Sequence, residues 1–195
     1  MKKFFKSLML ISVCLGLSAT VNAKTFRYAT TGDILGLDPH ANNEGPTNTM
    51  KGNIYGRMLH RKADLSLEPD LATKWEKLDA NTWRFSLRRG VKFHNGNDFN
   101  ADDVLFSYKR QTQEASDMSF ALATIKQINK VDDYTVDLIT KGPDPILLLN
   151  MPMFYIVDKE WIEANNAFEV VRASGSTNFA NVNTNGTGPF KVVEW

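Results

Sequence analysis

The chain has 195 residues, 43% of them apolar and 23% charged, with 12 glycines and 7 prolines, a globular composition with enough length for one ordinary domain. Its 23 basic and 22 acidic side chains nearly cancel, which excludes an electrostatic nucleic-acid binder. A single cysteine, Cys14, excludes an intrachain disulfide framework.

The N-terminus reads as an export signal over residues 1–23. Lys2, Lys3 and Lys6 form a basic start, Leu8 to Leu17 is an uncharged apolar run, and Val21-Asn22-Ala23 supplies small residues suited to cleavage. That apolar run is well short of the roughly 18 residues needed to span a bilayer. Val13 before Cys14 lacks the small residue that lipid attachment at the cysteine requires. Removal of the signal takes three lysines, the cysteine and no acid, so the +1 charge becomes slightly negative.

Thr25 to Thr30 alternates Phe26 and Tyr28 with polar residues and predicts a first strand. Gly32 to Asn48, rich in Gly, Asp, Pro and Asn, predicts irregular structure. Asn53 to Leu59 carries Ile54 with Met58 and Tyr55 with Leu59 at helical spacing, although Gly56 weakens the helix. Thr82 to Arg88 is the clearest strand, with Trp83, Phe85 and Leu87 on one face. Asn100 is suited to cap a helix from Ala101, with Asp102 and Asp103 in its first turn and Val104, Leu105 and Tyr108 as its buried stripe. Ile125 to Val131 and Tyr134 to Thr140 predict a hairpin about Asp132-Asp133. Asp144-Pro145 predicts the start of a short helix through Leu149, ended by Pro152, and Asp158 the cap of another over Lys159 to Asn165. Ala173 to Gly188 reads as a long connection, and Phe190 to Trp195 as a final strand on which the chain stops, as a fragment would.

No phosphate loop and no nucleophile elbow occurs. His40, His60 and His94 are far apart in sequence and read as surface or turn residues. Trp75 and Trp161 read as core residues before cleft residues. Local chemistry therefore describes an exported mixed α/β protein without a catalytic signature or metal site.

The order of segments says more. LDPH (Leu37 to His40), NIYGRML (Asn53 to Leu59), LEPDLATKWE (Leu67 to Glu76), NTWRFSLRRGVKFHNGNDFNADDVLFSYKR (Asn81 to Arg110) and GTGPFKVVEW (Gly186 to Trp195) succeed one another. This resembles the family 5 bacterial extracellular solute-binding proteins, the peptide- and nickel-type receptors of ABC importers. The resemblance implies a periplasmic binding protein-like α/β fold of type II, two-lobed with an inserted extra domain, of which this chain is the N-terminal portion. Residues 24–62 would begin the first lobe, 63–178 form the inserted domain and 179–195 return to the first lobe. It further implies a monomeric periplasmic receptor without a cofactor or enzymatic activity, not embedded in the membrane, that captures di- or oligopeptides and delivers them to a permease. The loop that approaches ligand in peptide-binding relatives corresponds to Asn42, Asn43, Glu44, Gly45, Pro46 and Thr47, with Glu44 placed to meet an amine or cation and Gly45 to admit close backbone approach. By the same resemblance, residues 24–195 alone bind ligand weakly, since half the cleft would be elsewhere. Rival readings are a receptor of the same fold for nickel, haem, glutathione or an opine, with His40 and Glu44 to probe; a secreted metal-dependent hydrolase using the histidines with Asp102 and Asp103; and a chaperone-like binder of unfolded chains.

Overall fold

The computed structural model describes residues 27, 29, 30, 32–172 and 178–195. The signal segment, most of the expected first strand and residues 173–177 of the expected connection lie outside the described residues. Everything below concerns residue 32 onward.

A four-stranded antiparallel sheet in the order β3-β4-β6-β5 forms the centre, from β3 (Ala72–Lys77), β4 (Thr82–Leu87), β5 (Ile125–Asp132) and β6 (Thr135–Thr140). The alternation in β4 sets its register: Phe85 stands opposite Val136 and Trp83 opposite Leu138. Phe85, Leu87, Val136 and Leu138 are buried. On the other face, Arg84 and its register partner Asp137 form a two-pronged ion pair of 2.7 and 2.8 Å. A separate two-stranded ribbon joins β1 (Leu59–Arg61) to β2 (Leu67–Pro69).

Helix α2 (Ala101–Gln111) lies between two apolar clusters. Asn100 caps it, accepting from Asp102 N at 2.7 Å, while the Asp103 carboxylate accepts from Asn100 N at 2.9 Å. Val104 packs with Phe85, Phe93, Phe99, Leu122 and Leu138, and Leu105 and Tyr108 cover that cluster's edge. From its other side Phe106 joins Ile54, Tyr55, Met118, Tyr155 and Val157. The expected stripe is thus one of two: Phe106, Ser107, Arg110 and Gln111 are buried as well.

Three expectations need correction. The helix placed at Asn53 to Leu59 is instead α1 (Gly45–Ile54), and the chain turns extended at Tyr55 (φ −112°, ψ 136°). Ile54, Tyr55, Met58 and Leu59 are all buried, so the apolar residues are right and the backbone is not. The reason is pairing: Gly56 O accepts from Ile156 N at 3.0 Å, and Met58 N donates to Phe154 O at 3.2 Å, which a helix would forbid. The strand expected at Phe190 to Trp195 pairs with no strand among the described residues, and Phe190 and Val193 are 63% and 97% exposed. Alternation makes a strand only where a neighbour takes its hydrogen bonds. The helix expected after Asp144-Pro145 begins later, as α3 (Leu147–Asn150), and Pro152 sits inside a 3₁₀ turn (Met151–Met153) rather than ending a helix. Asp158 caps α4 (Lys159–Ala164) as expected, accepting from Trp161 N at 3.0 Å.

The segment after α5 (Phe179–Val182) is seated on the end of α1. Gly188 N donates to Ile54 O at 2.8 Å and Phe190 N to Asn53 O at 3.2 Å. A Cβ at Gly186 would stand 2.1 Å from Ile54 O, a backbone atom that cannot swing aside. Gly186→Ala should therefore cost about 1–3 kcal/mol by overpacking. Gly142→Ala, where a Cβ meets nothing within 4 Å, should leave stability unchanged. Equilibrium urea unfolding of the two variants checks this.

Candidate functional site

A buried charge network holds the candidate loop from behind. Arg110 on α2 is wholly buried, as is Asp38. Arg110 Nη1 and Nη2 donate to the two Asp38 oxygens at 2.8 and 2.6 Å, and Arg110 Nε and Nη2 donate to Ala167 O at 3.1 and 3.0 Å. Burial by itself raises the Asp38 carboxyl, but the guanidinium pressed against it prevails and the pKa is lowered.

His40, expected at the surface, is also wholly buried. Arg110 has only protons to offer, so His40 Nδ1, 3.0 Å from Arg110 Nη1, must be the acceptor. That leaves the proton on Nε2, which donates to Tyr155 O at 3.0 Å. Burial first, then the neighbouring Arg110 charge, brings the His40 pKa down to about 3, so the ring is neutral.

Further bonds fix the same segment. Tyr55 donates its hydroxyl to Leu37 O at 3.1 Å, Ser116 Oγ donates to His40 O at 2.7 Å, and Asp117 N donates to Ala41 O at 3.2 Å. Lys51, buried on α1, donates to Asn42 O, and to Asn48 Oδ1 at 3.3 Å. Burial brings its pKa down to about 8.

The six expected ligand residues run from this anchor into α1: Asn42 and Asn43 precede it, Glu44 caps it, and Gly45 to Thr47 open its first turn. Asn42 is buried, and Asn43 is exposed with its side-chain oxygen accepting from Asn48 Nδ2 at 2.7 Å. Glu44 is the helix N-cap, where Oε2 accepts from Thr47 N at 3.3 Å. Its other oxygen, Oε1, is buried without a hydrogen-bond partner. Gly45 is exposed with open space where a Cβ would stand, and Pro46 sits in the first turn, where its missing N–H costs nothing. Thr47 is buried and its hydroxyl accepts from Leu35 N at 3.0 Å. The loop thus offers one exposed amide, one half-used carboxylate and a bare glycine on a fixed frame.

The groups weighed for catalysis are otherwise engaged. Asp102 takes Lys130 Nζ at 3.0 Å. Asp103, Asp158 and Glu160 bring one carboxylate oxygen each to within 4.8 Å of one another. Yet Asp103 accepts from Asn100 N and Lys159 N, at 2.9 and 3.0 Å. Asp158 Oδ2 accepts from the side-chain amides of Asn95, Asn97 and Asn185, at 2.9, 2.8 and 2.7 Å. This cluster is a knot tying three chain segments together, with every oxygen of Asp103 and Asp158 accepting from the protein. Burial pushes the Asp103 pKa up to about 7, with Glu160 and Asp158 adding like charge against the two backbone donors. His94 Nε2 donates to Gly188 O at 2.8 Å, and His60 Nδ1 accepts from Arg57 Nη2 at 2.8 Å. Trp75 packs on one apolar cluster and Trp161 on the other.

Sequence reading missed the Asp38–His40–Arg110 network. Its one visible signal is that Arg110 falls four residues after Phe106 and three after Ser107, on the buried side of α2. Two outcomes follow. Asp38→Asn strands a buried guanidinium and should cost about 3–5 kcal/mol in urea unfolding. His40 is neutral in the fold and protonates near pH 6.5 when unfolded, so its contribution is complete above that pH and declines as pH falls from 6.5 toward 3. The stability gap between the wild type and His40→Gln should narrow by about 1.4 kcal/mol per pH unit in that window, measured at pH 7, 6 and 5.

Residues 66–195 match the family described as bacterial extracellular solute-binding proteins, family 5 Middle. The dipeptide-binding protein of Escherichia coli K12 is 31% identical, over 94% of this chain and 38% of the relative. Among solved structures, the Helicobacter pylori periplasmic binding protein DppA with the peptide STSA superposes with TM-score 0.71 at 30% identity, over 84% of this chain and 35% of that one. NikZ of Campylobacter jejuni with Ni(L-His) gives TM-score 0.71 at 25% identity, over 84% and 32%. The chain therefore spans less than two-fifths of these relatives. No helix among the described residues is long and apolar enough to cross a membrane. With its periplasmic binding protein-like fold and a match over most of its length, the chain belongs to the family 5 bacterial extracellular solute-binding proteins.

Proposed function

We propose that this chain is part of the periplasmic receptor of an ABC importer, which captures di- or oligopeptides and delivers them unchanged to a membrane permease. The observation that carries the reading is the 31% identity to a dipeptide-binding protein over 94% of this chain. Residues 24–62 and 179–195 belong to the first lobe in this reading, and 63–178 to the inserted domain, behind a signal at 1–23. Capture between lobes buries most of a ligand and draws the closing energy from contacts to both sides. A receptor of this kind needs no reacting group, and the engaged carboxylates and histidines around α2 agree with that.

Within it, Asn42 to Thr47 form the part of the ligand site on this chain. Asn43 and the exposed backbone at Gly45 meet the ligand main chain. The half-buried Glu44 carboxylate, only one of whose oxygens the protein uses, meets a ligand amine. The site is rigid because Lys51, Ser116 and Tyr55 fix the preceding residues, so little ordering entropy is lost on binding.

Tryptophan fluorescence of the intact protein, titrated with a peptide library, nickel–histidine, haem, glutathione and opines, tests the reading. A saturable change with peptides supports it, whereas a response confined to one of the other ligands assigns the same fold to that class instead. Glu44→Asn keeps an N-cap oxygen but removes the charge, so it should weaken peptide binding about tenfold at unchanged thermal stability. Equal binding by the variant would remove Glu44 from the site.

A further inference from the structure

Beside α1 lies a recess of ≈ 300 Å³ whose lining divides sharply by chemistry. Met118, Pro152, Met153 and Tyr155 line it together with Asn48, Thr49, Arg57 and Arg61. The two guanidiniums are met only in part by the protein, Arg57 also bonding the Tyr155 side chain. Arg57 Nη2 donates to His60 Nδ1 at 2.8 Å, and Arg61 Nη2 donates to Leu149 O. Arg57 Nε and Arg61 Nε are both buried with no hydrogen-bond partner. The nearest carboxylate, Asp70, stands 3.9 Å from Arg57 Nε, and the same oxygen already accepts from Arg57 N at 3.1 Å.

Buried donors on charged groups are costly when unpaired, and arginine more so than most because its fork is rigid. Arg57 lies 5.9 Å from the centroid of the Tyr155 ring and Arg61 shares the recess, with Asp70 the acid that faces Arg57. Lys51 Nζ, 6.0 Å from the same ring, is balanced by Asp38, Glu44 and Asp117. Glu68, the next acid along, pairs with His60 at 3.8 Å. A planar anion with two acceptor oxygens would meet the free edges of the forks, and an apolar body would lie on the methionine, proline and tyrosine side chains. A bare phosphate would use only half of this lining.

We propose that the recess between Arg57, Arg61 and Tyr155 is a binding subsite for a small organic carboxylate with an apolar body. It adjoins the Asn42 to Thr47 loop through Asn48, whose side chain donates to Asn43, and does not depend on what the receptor carries. It is tested on the intact protein. The ¹⁵N arginine side-chain spectrum is followed during titration with hexanoate, its neutral analogue hexanamide, and inorganic phosphate. Hexanoate should shift the Nε–H resonances of Arg57 and Arg61 saturably, with hexanamide giving no shift and phosphate binding at least about tenfold more weakly. Arg61→Gln, with its thermal midpoint checked first, should weaken hexanoate at least about tenfold. Arg89→Gln, whose parent guanidinium lies 4.2 Å over the Tyr134 ring instead, should bind as the wild type does. No saturable shift with hexanoate, or equal shifts with hexanamide or phosphate, would overturn the proposal, as would undiminished binding by folded Arg61→Gln.

Discussion

A guanidinium sealed from water has to find acceptors for its donors inside the protein, and Arg110 finds them in Asp38, His40 and Ala167. Arg110 on α2 thereby ties two other parts of the chain together: the irregular segment with Asp38 and His40, and the stretch after α4 with Ala167. The pair therefore acts less as a source of net stability than as a geometric lock, because few other arrangements would satisfy both charges. A buried pair of this kind is costly to break and modest to make. Its consequence is positional, since the Leu37 to Asn42 backbone, which has no regular secondary structure to hold it, sits at a defined place beside α1.

From that lock the rest of the loop follows. The neutral His40 ring carries the constraint to Tyr155, and Tyr55, Ser116 and Lys51 take up carbonyls along the way. The helix start at Glu44-Gly45-Pro46 is then presented with little freedom left to lose. A surface intended for repeated capture and release gains affinity from such preorganisation, because the ordering cost is met in folding rather than at binding. The Asp158 knot does the equivalent work beside the start of α2, joining the turn at Asn95 to Asn97 with Asn185.

Much of this was legible in the residues. The strand at Thr82 to Leu87 and its inward Phe85 and Leu87, the cap at Asn100 and the cap at Asp158 each depend on a local pattern, and each is present. The backbone at Asn53 to Leu59 was not legible, because apolar residues at helical spacing are equally buried when Ile156 and Phe154 pull the chain extended. Phe190 to Trp195 alternates correctly but has no partner strand among the described residues. His40 looked like a surface or turn residue because polarity shows in a sequence and a partner 70 positions away does not. The candidate loop was found by resemblance alone; its composition, Asn-Asn-Glu-Gly-Pro-Thr, is also that of an ordinary helix start, and it is one.

The central claim is that a rigid Asn42 to Thr47 turn on this chain meets a captured peptide. Amide hydrogen exchange of the intact protein, with and without a saturating peptide pool, tests it most directly. The account predicts slowed exchange through the first turn of α1 and no change along β4 and β6. Protection that spares the turn while appearing elsewhere, or an exchange map indifferent to peptide, would contradict it.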